Sequence, residues 1–578
     1  MASTNLMQEF PPVSTEAWEE VIRKDMKGAD YAKKLIWQTE EGLAVKPYYR
    51  AEDIAGLDYL SAPPGALPYV RGTRTAGDWR IREEIDATNL RKANQEALHA
   101  VAAGAEEISF HDAAVRDASD LSALLANLQG IPIHFQTCDE ALVRLLAHNS
   151  GEAPISADFD PLKNLNLAAE ILHSAPPTLI PFAIHGDEFE DLGANTVQEV
   201  GFTLAAGIDY LAEMQERKVD VNRAASALSF SFAIGSNYFF QIAKLRAFRL
   251  LWARAVESFG GDREASKARI SARTSRWNKT IYDPHVNVLR ATTEAMSAAI
   301  GGADSIVVAP FDECYKEPDE ASRRLARNTQ ILVKHEAALS RVSDPGGGAY
   351  YIEALTDFIA REGWKIMQGV EASGGYRKAQ ADGQIARSLD AARAAKEKAV
   401  LLRRRVFTGT NQNPNLSEKA LDRIDEARAS RGHRGPEIYE RLRLRTERHV
   451  AKGGKLPRFL LAEIGDSKMH AARSNFAANF FGCAGFEIVT KRYENVEQID
   501  GSQFDAVVLC SSDPEYPALT AGLMKKQSEQ QRKVPVIIAG YPESAEALKA
   551  AGVADLISIK SNPIEVLTKW QQLFGIED

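Results

Sequence analysis

Short apolar runs alternate with longer amphipathic stretches along most of this chain. The runs favour β-strands, and the stretches repeat apolar residues three and four positions apart, which is typical of helices. Helical spacing is clearest at residues 195–217 and 238–259. Eight runs predict strands, at residues 108–110, 131–137, 155–159, 179–185, 227–235, 270–274, 304–309 and 339–343. Eight strand–helix units predict a parallel (β/α)8 barrel (TIM barrel) over residues 61–410.

The alternation restarts on a smaller scale near the C-terminus. Five further runs predict strands, at residues 459–464, 486–490, 506–511, 534–539 and 556–559. Amphipathic stretches lie between these runs, and a final helix is predicted at 563–574. Five parallel strands with intervening helices predict a flavodoxin-like doubly wound domain over residues 457–578, in an α/β protein overall.

Two segments lie outside these patterns. Residues 1–60 are mostly polar but contain Trp18, Trp37, Tyr48 and Tyr49, so we predict an arm whose aromatics pack on a larger body. That body is either this chain's own barrel or a partner subunit. Residues 411–456 form a predicted linker, in which the Arg- and Glu-rich stretch 425–449 is expected to be a solvated helix.

Composition excludes several classes of function. The 578 residues carry 70 basic and 79 acidic side chains and a net charge of −9, whereas a nucleic-acid scaffold would show a basic excess. The sequence has no apolar run that would span a membrane, and residues 1–21 lack the features of a targeting peptide. We therefore expect a cytoplasmic protein, in which Cys138, Cys314, Cys483 and Cys510 are buried free thiols.

The strand ends of the barrel are where catalytic groups would lie. His185 and Asp187 follow the fourth predicted strand and form a candidate acid–base pair, although this spacing is common by chance. The seventh predicted strand ends in apolar residues 307–310, which transfer no proton. The remaining ends carry residues 111–112, 235–237, 276–277, 311–313 and 344–348. Metalloprotease, phosphate-loop, serine-hydrolase and dinucleotide motifs do not occur in the sequence.

His470 lies in the first strand-end loop of the second predicted domain, residues 465–470. Ligands of such domains bind beyond the strand ends, which makes His470 a candidate metal ligand. A single His beside a helix start, without an acidic partner in fixed register, is more often a surface or capping residue. We therefore predict no metal site.

Three segments carry longer, more specific motifs: residues 241–252 (QIAKLRAFRLLW), 325–330 (LARNTQ) and 343–356 (SDPGGGAYYIEALT). These motifs resemble the methylmalonyl-CoA mutase family. Residues 39–47 (TEEGLAVKP) also resemble the N-terminal arm of that family. The resemblance implies an acyl-CoA mutase barrel followed by a linker and a cobalamin-binding-type domain, in the same order as predicted above.

Catalytic subunits of this family start a radical rearrangement from adenosylcobalamin. The resemblance implies a cobalamin loop Asp-x-His-x-x-Gly, in which the Asp orients the imidazole and the Gly leaves room for the cofactor's nucleotide tail. That loop falls on Lys468, His470 and Arg473, so Lys replaces the Asp and Arg replaces the Gly. Two later motifs, which fall near residues 510–512 and 539–540, also differ. The resemblance implies that His470 is a remnant and that this chain binds no cofactor.

The barrel departs from the catalytic pattern as well. The family's Ser-Leu-His-Thr-Asn segment falls on residues 305–309, where Val307 replaces the His that bonds the thioester carbonyl. A substrate-binding Gln has no counterpart near residues 155–158, and residues 70–74 resemble small subunits instead of the arm that threads CoA. We therefore expect no catalytic residues in this chain.

These departures predict the small, structural subunit of a heterodimer. Its large subunit would hold adenosylcobalamin and interconvert (R)-methylmalonyl-CoA and succinyl-CoA in propionate metabolism. One alternative is an active mutase of altered acyl-CoA specificity, which would still need the cobalamin loop. Another is a regulatory module that protects a mutase without joining it stably.

Overall fold

An N-terminal arm, residues 13–60, lies along the rest of the chain. The structure, a computed structural model, describes residues 13–136, 138–150, 154–430, 432–530 and 533–577. The arm contains α1 (Thr15–Asp25), α2 (Tyr31–Leu35), β1 (Trp37–Gln38), β2 (Ala44–Val45) and 3-10 turns at Ala51–Ile54 and Asp58–Ser61. Among its described residues, only Val45 and Tyr59 are buried.

Contacts with the barrel hold the middle of the arm. The rings of Tyr49 and Tyr351 lie 4.9 Å apart, and the Tyr59 hydroxyl donates to the Glu353 carbonyl at 3.4 Å. The Thr196 hydroxyl donates to the Glu41 carboxylate at 3.0 Å. The arm therefore packs on its own barrel at these points, as the first of the two predicted alternatives has it.

The barrel is closed by eight parallel strands. They are β3 (Arg80–Asp86), β4 (Glu107–His111), β5 (Ile133–Phe135), β6 (Ile155–Phe159), β7 (Ile180–His185), β8 (Leu228–Ile234), β9 (Ile270–Thr274) and β10 (Ser305–Val307). The order around the barrel follows the chain, and β10 pairs with β3 to close it. The predicted TIM barrel is therefore confirmed.

Helices surround these strands. They are α3 (Leu90–Ala102), α4 (Ala118–Leu124), α5 (Glu140–Asn149), α6 (Leu165–Ser174), α7 (Gly186–Asp191), α8 (Thr196–Glu216), α9 (Val221–Ser226), α10 (Tyr238–Ser258), α11 (Val286–Ile300), α12 (Glu320–Ile331), α13 (Tyr350–Ala372), α14 (Tyr376–Ala381) and α15 (Gln384–Leu401). The predicted helical stretches at 195–217 and 238–259 are α8 and α10. Asn195 caps α8 by accepting from the Gln198 N–H, which fixes where that helix begins.

One predicted strand is wrong, and one strand was missed. Residues 339–343 contain a 3-10 turn, Leu339–Arg341, preceded by Ala338 at φ 56° and followed by Asp344 at φ 46°. Left-handed backbone on both sides leaves no room for an extended strand. The missing strand is β3, whose apolar residues Ile81 and Ile85 are separated by charged ones, so that it has no apolar run.

Asp344, which the sequence placed at a strand end, belongs to a structural ion-pair cluster. Its carboxylate pairs with Arg246 and also accepts from Arg71 Nε at 3.0 Å. Arg246 is fully buried and pairs with Glu353 at 2.6 Å. These contacts join α10 to α13, because Arg246 lies on α10 and Glu353 on α13.

The second sheet is parallel and five-stranded. Its elements are β11 (Arg458–Glu463), α18 (Ser467–Gly482), β12 (Glu487–Arg492), a 3-10 turn (Val496–Gln498), β13 (Ala506–Cys510), α19 (Tyr516–Glu529), β14 (Val536–Ala539), α20 (Ala545–Ala550), β15 (Asp555–Ile557) and α21 (Pro563–Leu573). The strand order β12-β11-β13-β14-β15 is that of a flavodoxin-like sheet, which confirms the second predicted fold.

Two helices lie between barrel and second sheet, α16 (Glu426–Ala429) and α17 (Glu437–Ala451). The predicted solvated helix is wrong, because α17 buries Tyr439, Leu442 and Leu444 among other residues. Tyr439 and Leu442 pack in one core with barrel residue Trp277 and with Phe459 of β11. The charges of this stretch are partly buried too, since Glu440 pairs with Arg434 at 2.8 Å.

Cys138, Cys483 and Cys510 are buried free thiols as predicted, and Cys314 is a partly buried one. In the described part of the chain, no helix is both long and apolar enough to cross a membrane.

Candidate functional site

A cavity of about 930 Å³ opens at the carboxyl ends of the barrel strands. Polar and charged side chains from most of the strands line it, among them Glu84, His134, Asp158, His185, Asp187, Ser231 and Arg273. This is the position at which barrels carry their active sites. The sequence analysis identified His185 and Asp187 and missed the others.

Two histidines and two carboxylates form a chain of contacts in this cavity. His134 Nε2 lies 3.0 Å from Asp158 Oδ2, which also lies 3.8 Å from His185 Nε2. On its other side, His185 Nδ1 lies 3.5 Å from Asp187 and 3.1 Å from the Ser231 hydroxyl. That hydroxyl donates to Asp187. The structure therefore brings the predicted pair together, inside a larger network.

This network fixes the charge of His185. Burial favours the neutral imidazole, but Asp158 and Asp187 outweigh it and raise the pKa of His185 to about 10. Burial likewise opposes ionisation of Asp158, yet His134 and His185 lower its pKa to about 2. His185 is thus protonated at neutral pH. A cation between two carboxylates is not a general base under these conditions.

A second set of charges crosses the cavity as alternating ion pairs. Arg273 Nη2 lies 3.3 Å from Glu84 and 2.7 Å from Glu313, and Arg276 lies 3.1 Å from Glu313. Gln136 donates to Glu84 at 2.7 Å. Burial would raise the pKa of Glu84, but Arg273 and Gln136 hold it well below its ordinary value. These groups neutralise each other inside the cavity.

Val307 lines the same cavity at the end of β10. Beyond it, Val308 and Ala309 are buried apolar residues. At Val307 the cavity wall therefore offers no side-chain proton donor or acceptor. The strand that precedes these residues is one that the sequence predicted.

His111, at another predicted strand end, lies apart from this network. Its Nδ1 is 3.0 Å from Asp112 Oδ2; the Asp112 side chain is exposed and the His111 side chain is partly exposed. Among the described residues, no group of three or more His, Cys, Asp or Glu side chains is arranged to hold a metal ion.

His470 is neither a surface residue nor a helix cap, the two placements that the sequence favoured for it. It is buried, at 4% exposure, in the first turns of α18, so it is not a surface residue. Asp466 is the residue that caps α18, by accepting from the Met469 N–H. His470 Nδ1 lies 3.5 Å from Glu463, and among the described residues neither ring nitrogen has a hydrogen-bond partner.

The two residues that replace the expected cobalamin-loop positions differ in their contacts. Lys468 is exposed at the start of α18. Arg473 Nη2 donates to Asp513 Oδ1 at 2.8 Å, across the carboxyl ends of the strands.

Comparison with known proteins decides the family. Residues 38–126 and 152–452 match the family described as methylmalonyl-CoA mutase. The chain belongs to the methylmalonyl-CoA mutase family. The resemblance found in the sequence is therefore confirmed, and the family match ends at residue 452, before the second sheet begins.

Relatives in this family differ in how much of the chain they match. A methylmalonyl-CoA mutase small subunit of Porphyromonas gingivalis is 36% identical over 99% of both chains. One of Streptomyces virginiae is 31% identical over 99% of this chain and 98% of its own. A methylmalonyl-CoA mutase of Cereibacter sphaeroides is 31% identical over 71% of this chain and 66% of its own.

Proposed function

We propose that this chain is the non-catalytic small subunit of a heterodimeric methylmalonyl-CoA mutase. A larger partner would bind adenosylcobalamin and interconvert (R)-methylmalonyl-CoA and succinyl-CoA. The observation that carries the proposal is the barrel cavity, where the charged side chains are paired with one another and Val307 lines the wall. Relatives named small subunits, which match the full length, support it.

The second domain supports the same proposal because its residues do not fit a corrinoid. A cobalt ligand needs a ring nitrogen that faces the cofactor, whereas His470 is buried. The expected orienting carboxylate is replaced by Lys468, and the space for a nucleotide tail holds Arg473 and Asp513. Adenosylcobalamin therefore belongs, in this proposal, to the partner.

The arm supplies a surface for that partner. All eleven residues of α1 are described and none is buried, while Trp18 and Val21 are 52% and 59% exposed. The ring centroids of Trp18 and Tyr48 lie 5.5 Å apart, and about half of Trp18 remains exposed beside this contact. Aromatic side chains are enriched at protein interfaces, so we assign this helix face to the large subunit.

Co-expression with a large subunit that has an intact cobalamin loop tests the proposal. We expect a 1:1 complex by size exclusion with light scattering, mutase activity in the complex, and neither activity nor bound cobalamin in this chain alone. Trp18→Ala with Val21→Ala should weaken the complex by about tenfold or more, as loss of an interface anchor does. Glu20→Ala with Lys24→Ala, on exposed residues of the same helix, is the matched control.

Two results would sink the proposal. One is stoichiometric adenosylcobalamin binding by this chain alone, which would favour an active mutase. The other is protection of a mutase at substoichiometric ratio without a stable complex, which would favour a regulatory module.

A further inference from the structure

The second sheet has one place where a ligand of this fold would bind. In the strand order β12-β11-β13-β14-β15, the chain turns from one side of the sheet to the other between β11 and β13. Loops diverge at such a point and leave a crevice beyond the strand ends. The relevant loops follow β11 at Gly465 and Asp466, and follow β13 at residues 511–515.

An ion pair of the chain itself lies over this crevice. Arg473, from α18, donates to Asp513, from the loop after β13, at 2.8 Å. Both side chains reach Gly540 at the end of β14: a Cβ placed there would lie 3.2 Å from Asp513 Oδ1 and 3.4 Å from Arg473 Cζ. The backbone at Gly540 is thus already covered by this chain's own side chains.

Glu515 joins these two loops through hydrogen bonds to its carboxylate. Its carboxylate accepts from the Ser511 and Ser512 hydroxyls, each at 2.6 Å, and from the Asp466 N–H at 3.3 Å. It presses on Gly465, where a Cβ would lie 2.5 Å from its oxygens. A larger residue there would displace the Glu515 carboxylate, and the positive φ of 80° favours glycine.

Tyr516 connects the end of β14 to the loop after β13. Its hydroxyl donates to the Ala539 carbonyl at 2.7 Å and accepts from the Ser511 N–H at 3.1 Å. The ends of β11, β13 and β14 are therefore joined by side chains from one loop. His470 lies three residues before Arg473, on the same face of α18, and is buried near Glu463 at the end of β11.

We propose that the Arg473–Asp513 pair is an internal occupant of the crevice and that it excludes the nucleotide tail of a corrinoid from an otherwise intact fold. This rests on the proposed function, since it explains how the second domain is kept without a cofactor. Arg473 is the deciding residue, because its long side chain spans from α18 to Asp513 over Gly540. The Glu515 contacts hold the loops but lie on the Gly465 side.

The test measures hydroxocobalamin binding to the full-length chain by equilibrium dialysis and by change in its absorption spectrum. Wild type should bind none above background. Arg473→Gly with Asp513→Ser removes both side chains and should bind hydroxocobalamin about tenfold or more above that background. Lys525→Gly, on the exposed face of α19, carries the same cost of glycine in a helix and should leave binding unchanged.

The outcomes separate the two proposals. If the double variant keeps its circular dichroism and melting temperature but binds no more cobalamin than wild type, this inference is wrong while the proposed function stands. Stoichiometric binding by wild type would instead overturn both. Should the double variant not fold, Arg473→Ser alone removes the side chain that spans the crevice, and binding above background is expected of it too. A folded Arg473→Ser variant without that binding also overturns the inference.

Discussion

The mouth of the barrel and the crevice of the second sheet are equivalent places, since both lie at the carboxyl ends of parallel strands. They differ in what fills them. The mouth keeps a cavity of about 930 Å³ and balances its charges pairwise, whereas the crevice is covered by Arg473, Asp513 and Glu515. The charge balance of the open mouth depends on every ion-pair partner, whereas the covered crevice depends on side-chain bulk.

The largest effect is expected where a charge of the mouth loses its partner. Glu84→Gln leaves Arg273 paired with Glu313 alone. The poorly solvated guanidinium then loses one of the two carboxylates that balance its charge. We expect the free energy of unfolding to fall by about 2 kcal/mol, less than for a fully buried pair because Glu313 remains. Urea denaturation measures this.

Glu487→Gln is the matched control for that substitution. Glu487 pairs with Arg458 at 2.9 Å in the second sheet, with both side chains more than a third exposed. Its loss should cost less than about 0.5 kcal/mol. Equal effects at both positions would contradict the claim that burial distinguishes the mouth.

The second expected effect is a pH dependence at His185. Its pKa in the folded chain is raised to about 10, above the ordinary value near 6.5 for an unfolded His. The stabilisation is therefore fully present below about pH 6.5 and is lost as pH rises towards 10. Thermal melting of His185→Gln should accordingly change less between pH 6.5 and 9 than that of wild type.

His173→Gln, at an exposed position of α6, should keep the wild-type pH profile. If wild type and His185→Gln show parallel profiles over that range, His185 is not held as a cation, and the argument against a general base fails.

The smallest effect is expected in the crevice. Asp513→Asn weakens its pair with Arg473, but Asp513 is 45% exposed, so the loss should be under about 1 kcal/mol. Urea denaturation of Asp513→Asn and of Glu84→Gln under the same conditions compares the crevice with the mouth directly. A loss as large as that of Glu84→Gln would mean that the crevice, too, is held together by charge.

Apolar patterning was enough to predict both sheets, because seven of the eight barrel strands are runs that the chain buries. It failed at β3, where Arg82 and Glu84 face the cavity and interrupt the run. Most of the candidate site could not be predicted either, because its polar residues also lie within strands. Glu84, His134, Asp158 and Arg273 come from four strands, and no local spacing links residues that meet only when the barrel closes.

The burial of α17 was unpredictable for a related reason. Its Arg and Glu residues look solvated in sequence, but Arg434 and Glu440 compensate each other within the protein. Likewise, His470 stands in a polar loop of the sequence but is buried in the structure, beside Glu463.

The core built around α17 has a mechanical consequence. Trp277 of the barrel packs against Phe407, lies under the Arg405 guanidinium at 4.2 Å, and shares its core with Tyr439 and Phe459. A domain joined by a flexible tether can swing and melt by itself, whereas here the second sheet shares its buried apolar surface with the barrel's end. We expect the two to behave as one cooperative unit, with a single transition in scanning calorimetry.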